Sequence, residues 1–112
     1  MKCVFCGIAG GEVPARLLHE DPEIVAFADV APKAPVHVLV IPRQHWTSLG
    51  EVPSGQEALL GRLLGVCRDL AVKLGLGEGY RVVINTGPRG GQTVDHLHLH
   101  LLGGRDMTWP PG

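Results

Sequence analysis

The length, composition and charge of the chain exclude several classes of protein. With 112 residues, 45% of them hydrophobic and 19% charged, it has the composition of a globular protein, and we predict a single domain over 1–112. The net charge of −1, without any run of basic residues, argues against a nucleic-acid partner, because such binding needs clustered Lys and Arg. The sequence has neither a secretory signal nor an apolar run near the ~20 residues of a membrane span, so we expect a cytoplasmic protein without a membrane partner.

The first half of the chain predicts a short helix or turn and then a pair of strands. The helix or turn covers 5–11. Two apolar, β-branched segments bounded by proline follow at 23–30 and 35–42. Because the turn between them is short, these two strands are expected to form an antiparallel hairpin.

One long helix is predicted over 54–74 from the helical spacing of its leucines. Ser54 and Glu57 match a capping box at its start, and Gly75 stands where a left-handed residue would end it. Two glycines one turn apart inside this helix either allow the close approach of another chain or are merely tolerated. Strands on both sides of one helix, without regular βαβ alternation, favour an α+β fold with a mostly antiparallel sheet.

Two more strands are predicted after the helix, at 80–87 and at 96–102, where the sequence reads HLHLHLL. Side chains alternate along a strand, so His96, His98 and His100 would share one face and the leucines the other. Half-buried structural histidines rarely occur in such a strict pattern. A single metal ion is also a poor explanation, because the ends of the row are ~13 Å apart along a strand and histidine–zinc bonds are only ~2 Å.

The histidine row and the loop before it suggest chemistry at phosphorus. An unprotonated imidazole is a good nucleophile near neutral pH, and neighbouring imidazoles can bind and neutralise an anion. The preceding glycine-rich stretch, 87–93, can turn backbone N–H groups towards an anion, and Gln92 and Thr93 add polar side chains.

Cys3 and Cys6 form a CxxC motif near the N-terminus. The alternatives for such a pair are zinc binding, thioredoxin-type redox chemistry and an unmetallated pair. Redox CxxC motifs usually follow a strand at the start of a helix, which does not suit this position. A structural zinc site needs four ligands and therefore two further side chains.

HLHLHLL fits the His-x-His-x-His-x-x signature of the histidine triad (HIT) superfamily of nucleotide hydrolases and transferases. The segments 27–45, 74–105 and the closing WPPG at 109–112 resemble the histidine triad nucleotide-binding protein branch of that superfamily. The resemblance implies the HIT fold, with a mostly antiparallel five-stranded sheet, one long helix and a short N-terminal helix. It also implies a homodimer through which the sheet continues.

The resemblance implies a role for each of four histidines. His98 would attack the α-phosphate of a nucleotide and form a covalent nucleotidyl-histidine, which water then hydrolyses. His100 would contact the phosphate, His96 would orient or tune the site, and His37 would belong to a proton relay.

The resemblance also implies a nucleotide-binding site. Asp29 would bind the ribose hydroxyls, and the base pocket would comprise Val30, Phe5, Ile8, Phe27 and Leu39. Phosphate and leaving group would be bound by Asn85, Gly91, Gln92 and Thr93. The tail with Trp109 would approach the partner's active site. From the residues alone, both Asp29 and Asn85 have an alternative role as turn-forming residues.

Bacterial relatives with the N-terminal CxxC imply a zinc site formed by Cys3, Cys6, His45 and His96, which the chemistry itself does not require. The resemblance as a whole predicts a homodimeric purine nucleoside phosphoramidase acting on adenosine or guanosine 5′-phosphoramidates. One alternative is a dinucleoside polyphosphate hydrolase, against which the WPPG ending and the short length argue. The other is a nucleotide-binding regulatory module with incidental turnover.

Overall fold

The computed structural model describes residues 3–112, and within them the fold is α+β, as predicted. Two helices, five strands and two short 3₁₀ turns occur in these residues. Their order is α1 (Val4–Ala9), β1 (Leu17–Glu20), β2 (Ile24–Ala28), β3 (Val36–Pro42), a 3₁₀ turn (Leu49–Glu51), α2 (Glu57–Lys73), β4 (Tyr80–Val83), a 3₁₀ turn (Pro88–Gly90) and β5 (Leu99–Gly103). Neither helix is long and apolar enough to cross a membrane.

The five strands form one antiparallel sheet in the order β1-β2-β3-β5-β4. The predicted hairpin of β2 and β3 is confirmed. Because side chains alternate along β3, Val38 and Val40 face the core beneath α2, whereas Leu39 and Ile41 face a second apolar cluster beneath α1. The sheet therefore separates the large core from the side on which α1 lies.

The long helix begins later than predicted, and the capping box of Ser54 and Glu57 is wrong. Gly55 has φ +97°, a conformation that a helix cannot include, so α2 starts only at Glu57. Its N-cap residue, Gln56, makes no side-chain capping bond, and the Glu57 carboxylate instead accepts the Gly55 N–H at 2.9 Å. At the other end, Gly75 has φ +76°, which confirms the predicted left-handed residue.

The histidine-rich strand is also shorter than predicted, because regular pairing begins at Leu99 rather than at residue 96. The backbone groups of β3 point alternately to its two neighbours. His37 bonds towards β2, so Val38 and Val40 bond to β5, and the next residue that would do so is Pro42. Proline has no N–H to donate, and the ladder ends there. β4 correspondingly ends at Val83, opposite His100, rather than at 87.

Candidate functional site

A cavity of about 580 Å³ lies between α1, the β2–β3 hairpin and the segment that leads into β5. This volume is within the usual range for small-molecule sites. All five side chains predicted for a base pocket line the cavity: Phe5, Ile8, Phe27, Val30 and Leu39. Four polar side chains from the predicted site also line it: Asp29, Thr93, His98 and His100. The cavity therefore has an apolar wall and a polar wall.

The sequence analysis missed part of the cavity lining. The missed residues are Val4, Val13, Pro14, Ala15, Arg16, Ala28 and Val94. Most of them belong to the loop between α1 and β1, which carries neither a periodic pattern nor a chemical motif. The loop lines the cavity because it connects α1 to β1 across this side of the sheet. No signal in the sequence would have identified it.

The ring of His98 is held in one tautomer by a backbone bond. Its Nδ1 lies 2.7 Å from the carbonyl oxygen of His96, and a carbonyl can only accept, so Nδ1 carries the proton. Nε2 then carries the lone pair, and it has no hydrogen-bond partner in the described part of the chain. The ring is 4% exposed and lines the cavity, and the edge of the Phe5 ring packs against it at 5.2 Å between centroids. The ring that carries this free lone pair therefore lines a largely apolar cavity.

Asp29, His37 and His100 form a second group of polar side chains, the Asp/His cluster, next to His98. The Lys33 N–H donates to His37 Nδ1 at 3.0 Å, which forces the proton of the neutral ring onto Nε2. His37 Nε2 lies 2.9 Å from His100 Nδ1 and 3.4 Å from Asp29 Oδ2. His37 therefore donates to His100, whose own proton is on Nε2. The rings of His98 and His100 are 4.9 Å apart between centroids.

Both histidines of this cluster are neutral at pH 7. Burial lowers the pKa of His100 to about 4, and repulsion from His98 and His37, which acts when those rings are protonated, lowers it further, against the opposing charge of Asp29. Burial also lowers the pKa of His37, although the Asp29 carboxylate opposes the change. A neutral His100 can donate from Nε2 while it accepts at Nδ1, which is the state that a relay requires.

Asp29 forms a turn and also lines the cavity. Its Oδ1 accepts the Ala31 N–H at 2.8 Å, so the residue does form a turn, as one alternative held. Its Oδ2 points towards His37, and the side chain also lines the cavity. The turn therefore fixes one carboxylate oxygen and leaves the group available to a ligand.

The glycine-rich loop presents Thr93 to the cavity, whereas Gln92 bonds to the backbone. The Gln92 side chain accepts the Gly87 N–H at 2.9 Å and donates to the carbonyls of Val94 at 2.9 Å and Thr47 at 2.5 Å, so it closes the loop and joins it to the segment after β3. Asn85 packs behind Gly91, and neither residue lines the cavity. Trp109 is 84% exposed and is likewise outside the cavity lining.

The four predicted metal ligands, Cys3, Cys6, His45 and His96, form a second site, the Cys/His cluster. Their ligand atoms all lie within 4.8 Å of one another. His96 Nδ1 is 3.5 Å from Cys3 Sγ, 3.6 Å from Cys6 Sγ and 3.2 Å from His45 Nδ1, and Cys6 Sγ is 3.3 Å from His45 Nδ1. α1 supplies Cys6, and Cys3 is its N-cap residue.

This geometry fits tetrahedral zinc. Tetrahedral bonds of about 2.3 Å to sulfur and ~2.1 Å to nitrogen separate sulfur from nitrogen by about 3.6 Å and nitrogen from nitrogen by about 3.4 Å, close to the four distances given above. His96 is fully buried, and its Nε2–H donates to the Pro42 carbonyl at 2.9 Å, which leaves the Nδ1 lone pair for a metal. Burial lowers the pKa of His96, so the ring is neutral and able to coordinate.

The two thiols also need a cation if both are to ionise. Burial raises the pKa of Cys6, and the hydrogen bond and charge of Cys3 raise it further. Two adjacent thiolates repel each other unless a positive ion lies between them. The donor set and its spacing are therefore compatible with a zinc centre, in which the cation would allow both thiols to ionise.

Known proteins resemble the chain over nearly its whole length. A HIT family hydrolase of Legionella pneumophila is 50% identical and superposes with a TM-score of 0.96 over 99% of this chain and 100% of that one. The histidine triad nucleotide-binding protein of Candida albicans is 35% identical, with a TM-score of 0.86 over 97% of this chain and 83% of that one. An uncharacterized HIT-like protein of Synechococcus elongatus is 56% identical over 97% of this chain and 96% of its own length. The HIT domain family model matches residues 10–107, and the chain belongs to this family.

Proposed function

We propose that the chain is a purine nucleoside phosphoramidase that hydrolyses adenosine or guanosine 5′-phosphoramidates through a nucleotidyl group on His98. The observation that carries the proposal is the free Nε2 of His98 at the wall of an apolar cavity that also holds a carboxylate, Asp29. The name of the Candida albicans neighbour, a nucleotide-binding protein, and those of the HIT family hydrolases support a nucleotide substrate and a hydrolytic reaction.

The cavity suits the three parts of a nucleotide. A flat purine would lie against the aromatic and aliphatic wall formed by Phe5, Ile8 and Phe27, where its burial is favourable. The free lone pairs of the Asp29 carboxylate would accept hydrogen bonds from the ribose hydroxyls. The phosphate would then lie at the polar end, between His98 and His100.

In the first step, the His98 Nε2 lone pair attacks phosphorus and the bond between phosphorus and the amine nitrogen breaks. The departing nitrogen takes a proton, for which the Thr93 hydroxyl at the cavity wall is the proposed donor. The Nε2–H of His100 donates to a phosphate oxygen, while His37 holds His100 in that tautomer. The nucleotidyl imidazole becomes cationic, and the His96 carbonyl at 2.7 Å from Nδ1 stabilises it.

In the second step, water attacks the same phosphorus and the bond from phosphorus to Nε2 breaks. The imidazole leaves with its electron pair, which restores neutral His98 with its proton still on Nδ1. One proton of the water replaces the one that left with the amine, so the products are a nucleoside monophosphate and a free amine. The cationic character of the intermediate favours this step, because a neutral imidazole is the leaving group.

Zinc would be held by the Cys/His cluster, where it would supply four bonds that join α1 to the segment before β5. No atom of that cluster other than the His96 carbonyl contacts the reacting groups. Both ring nitrogens of His96 have partners, so its role in the reaction is one of position. On this basis we propose that the chain is of the zinc-binding type of the histidine triad nucleotide-binding branch.

We also propose that two copies form a homodimer with a continuous sheet. β4 is an edge strand with half-exposed Tyr80, and the exposed face of α2 carries Leu64 and Val72. A side chain at Gly61 would meet nothing within 4 Å in this chain, so the space is open for the approach of a second chain. Light scattering during size-exclusion chromatography should give twice the chain mass.

The direct test is to trap the intermediate. The protein is mixed with an adenosine 5′-phosphoramidate of a fluorescent amine, quenched within milliseconds, digested and examined by mass spectrometry. An adenylyl group is expected on the peptide that contains His98, together with steady release of the amine. A diadenosine polyphosphate, run in parallel, should be cleaved far more slowly.

His98→Ala should abolish both the adduct and the turnover, whereas His19→Gln, at a histidine outside both clusters, should leave them unchanged. Turnover by the His98→Ala protein would contradict the mechanism. Binding of AMP with no hydrolysis of either substrate would favour a regulatory binding module instead. Faster cleavage of the diadenosine compound would assign the polyphosphate hydrolase activity.

A further inference from the structure

We infer that metal binding at the Cys/His cluster and nucleotide binding in the cavity are coupled, so that each ligand raises the affinity of the other. The inference rests on the proposed function of both sites and adds a relation between them. Two separate connections, one through α1 and one through His96, lead from the cluster to the cavity wall.

α1 is shared by the two sites. Cys6 and the N-cap residue Cys3 face the cluster, whereas Phe5 and Ile8 line the cavity. A helix of six residues is too short to be stable alone, so its position depends on what its side chains contact. Coordination of both thiols would fix the helix, and with it the wall on which the base would lie.

His96 provides the second connection. Its Nδ1 belongs to the cluster, while its carbonyl oxygen accepts the Nδ1–H of His98 at 2.7 Å. The ring of Phe5 packs against both imidazoles, with centroids 6.0 Å from His96 and 5.2 Å from His98. A metal that fixes His96 would therefore also fix the backbone group that sets the tautomer of the nucleophile.

Coupling of this kind is reciprocal by thermodynamic necessity. If the metal orders α1 and His96, a nucleotide that binds the loaded protein does not have to order them itself. The same factor must then appear in the metal affinity when nucleotide is bound. The metal would order only α1 and His96, just before β5. We therefore expect each ligand to raise the affinity of the other about tenfold, within the usual range of coupling between sites.

The test measures two affinities and needs no turnover, because AMP is a product. Zinc affinity is measured by competition with a chromophoric chelator, without AMP and with saturating AMP, and corrected by a titration of zinc with AMP alone. AMP affinity is measured by calorimetry on the zinc-loaded and the metal-free protein. Both ratios should be about ten and equal to each other.

Two matched variants separate local coupling from a general effect. Ile8→Ala and Val30→Ala each shorten an apolar side chain of the cavity, one on α1 and the other on the exposed hairpin turn. Both should weaken AMP binding to the loaded protein. Only Ile8→Ala should also reduce the coupling factor, to about threefold or less, because of the two side chains only Ile8 lies on α1.

Equal AMP affinities of the loaded and metal-free proteins would overturn the inference and leave both sites intact. An equal reduction of the coupling factor in the two variants would also overturn it. So would the loss of the folded far-UV circular dichroism spectrum in the metal-free protein, since the metal would then act on the whole fold. Failure to bind zinc or AMP at all would contradict the proposed function instead.

Discussion

The Cys/His cluster and the Asp/His cluster contain similar side chains but are built for different tasks. Each contains two histidines whose ring nitrogens approach within 3.2 Å or less, and each could hold a metal by the spacing of its atoms alone. His98 lies between them, two residues after His96 and two before His100. The two clusters differ in the hydrogen bond made by the ring nitrogen that points away from the cluster, in His96 and in His37.

At His96 the far nitrogen donates to the Pro42 carbonyl, which leaves a lone pair for a metal. At His37 the far nitrogen accepts the Lys33 N–H, so the nitrogen that faces His100 and Asp29 carries a proton and cannot coordinate. The lesson is that a count of ligand-type residues does not identify a metal site. The hydrogen bond on the other side of each ring shows whether the nitrogen that faces the cluster has a free lone pair.

The largest expected effect separates the clusters by metal content. Wild-type protein should contain about one zinc per chain, and Cys3→Ser combined with Cys6→Ser should lose it, because two of four ligands are removed. The loss in binding free energy should be about 10 kcal/mol. Elemental analysis after gel filtration measures the content.

The matched control is Asp29→Asn in the other cluster, which should keep its full zinc content. Zinc that is lost in Asp29→Asn and kept in the double cysteine variant would reverse the assignment of the two clusters.

The next effect concerns stability against pH. Burial lowers the pKa of His100 in the folded chain from its usual 6.5 to about 4, so between these values the unfolded chain binds a proton that the folded chain does not. Stability should be full above pH 6.5 and fall as the pH is lowered to about 4, by about 2–3 kcal/mol from this group.

Urea unfolding at pH 7 and pH 4.5 measures this loss in the free energy of unfolding. The loss should be smaller in His100→Asn than in wild type, by about the contribution of His100. Burial lowers the pKa of His37 in the same direction, so the variant keeps part of the slope. Identical slopes in the two proteins would contradict a buried, neutral His100.

A smaller effect is expected when the relay is broken at His37. His37→Asn keeps an acceptor for the Lys33 N–H but loses the donor to His100, whereas His37→Gln places a donor near the former Nε2. We expect kcat to fall about tenfold to a hundredfold in His37→Asn and less in His37→Gln.

The pH dependence of kcat should change in both variants, and zinc content should change in neither. A higher KM with unchanged kcat would instead indicate that His37 acts only on nucleotide binding.

The smallest effect tests the far end of α1. The Arg43 side chain donates to the Ala9 carbonyl at the end of this helix and to the Asp21 carbonyl at 2.8 Å. Arg43→Met should reduce stability by about 1–2 kcal/mol and lower zinc affinity a few-fold. Thermal unfolding with and without zinc measures both, and a variant as stable as wild type would show that the Arg43 bonds do not hold α1 in place.

The sequence predicted the residues of the site better than the limits of the strands. The alternation of histidine and leucine pointed to side chains that line the cavity, and the family resemblance pointed to its apolar lining and to the four side chains whose ligand-type atoms lie within 4.8 Å of one another. β1 was missed because Leu17–Glu20 is a short edge strand without β-branched residues, so neither periodicity nor propensity marks it. Its existence follows from pairing with β2, a contact that no local pattern encodes.

The tautomers could not have been predicted from the sequence either. They depend on the Lys33 amide, the His96 carbonyl and the Pro42 carbonyl, which are backbone groups placed only by the complete fold. The internal use of Gln92 is a similar case, since its motif position suggests a ligand while its amide closes the loop. Side-chain identity gives the candidates, and backbone geometry selects their protonation state.

Pro42 has a consequence for how such sites arise and are copied. A residue with no reactive group ends the pairing of β3 with β5, and its carbonyl oxygen, which the sheet leaves unpaired, accepts the Nε2–H of His96, so the lone pair of that ring lies on Nδ1, towards the other side chains of the Cys/His cluster. Protein engineers who graft only the ligands of this centre onto another sheet would therefore carry over its composition without its selectivity, unless the interruption of the ladder is transplanted as well.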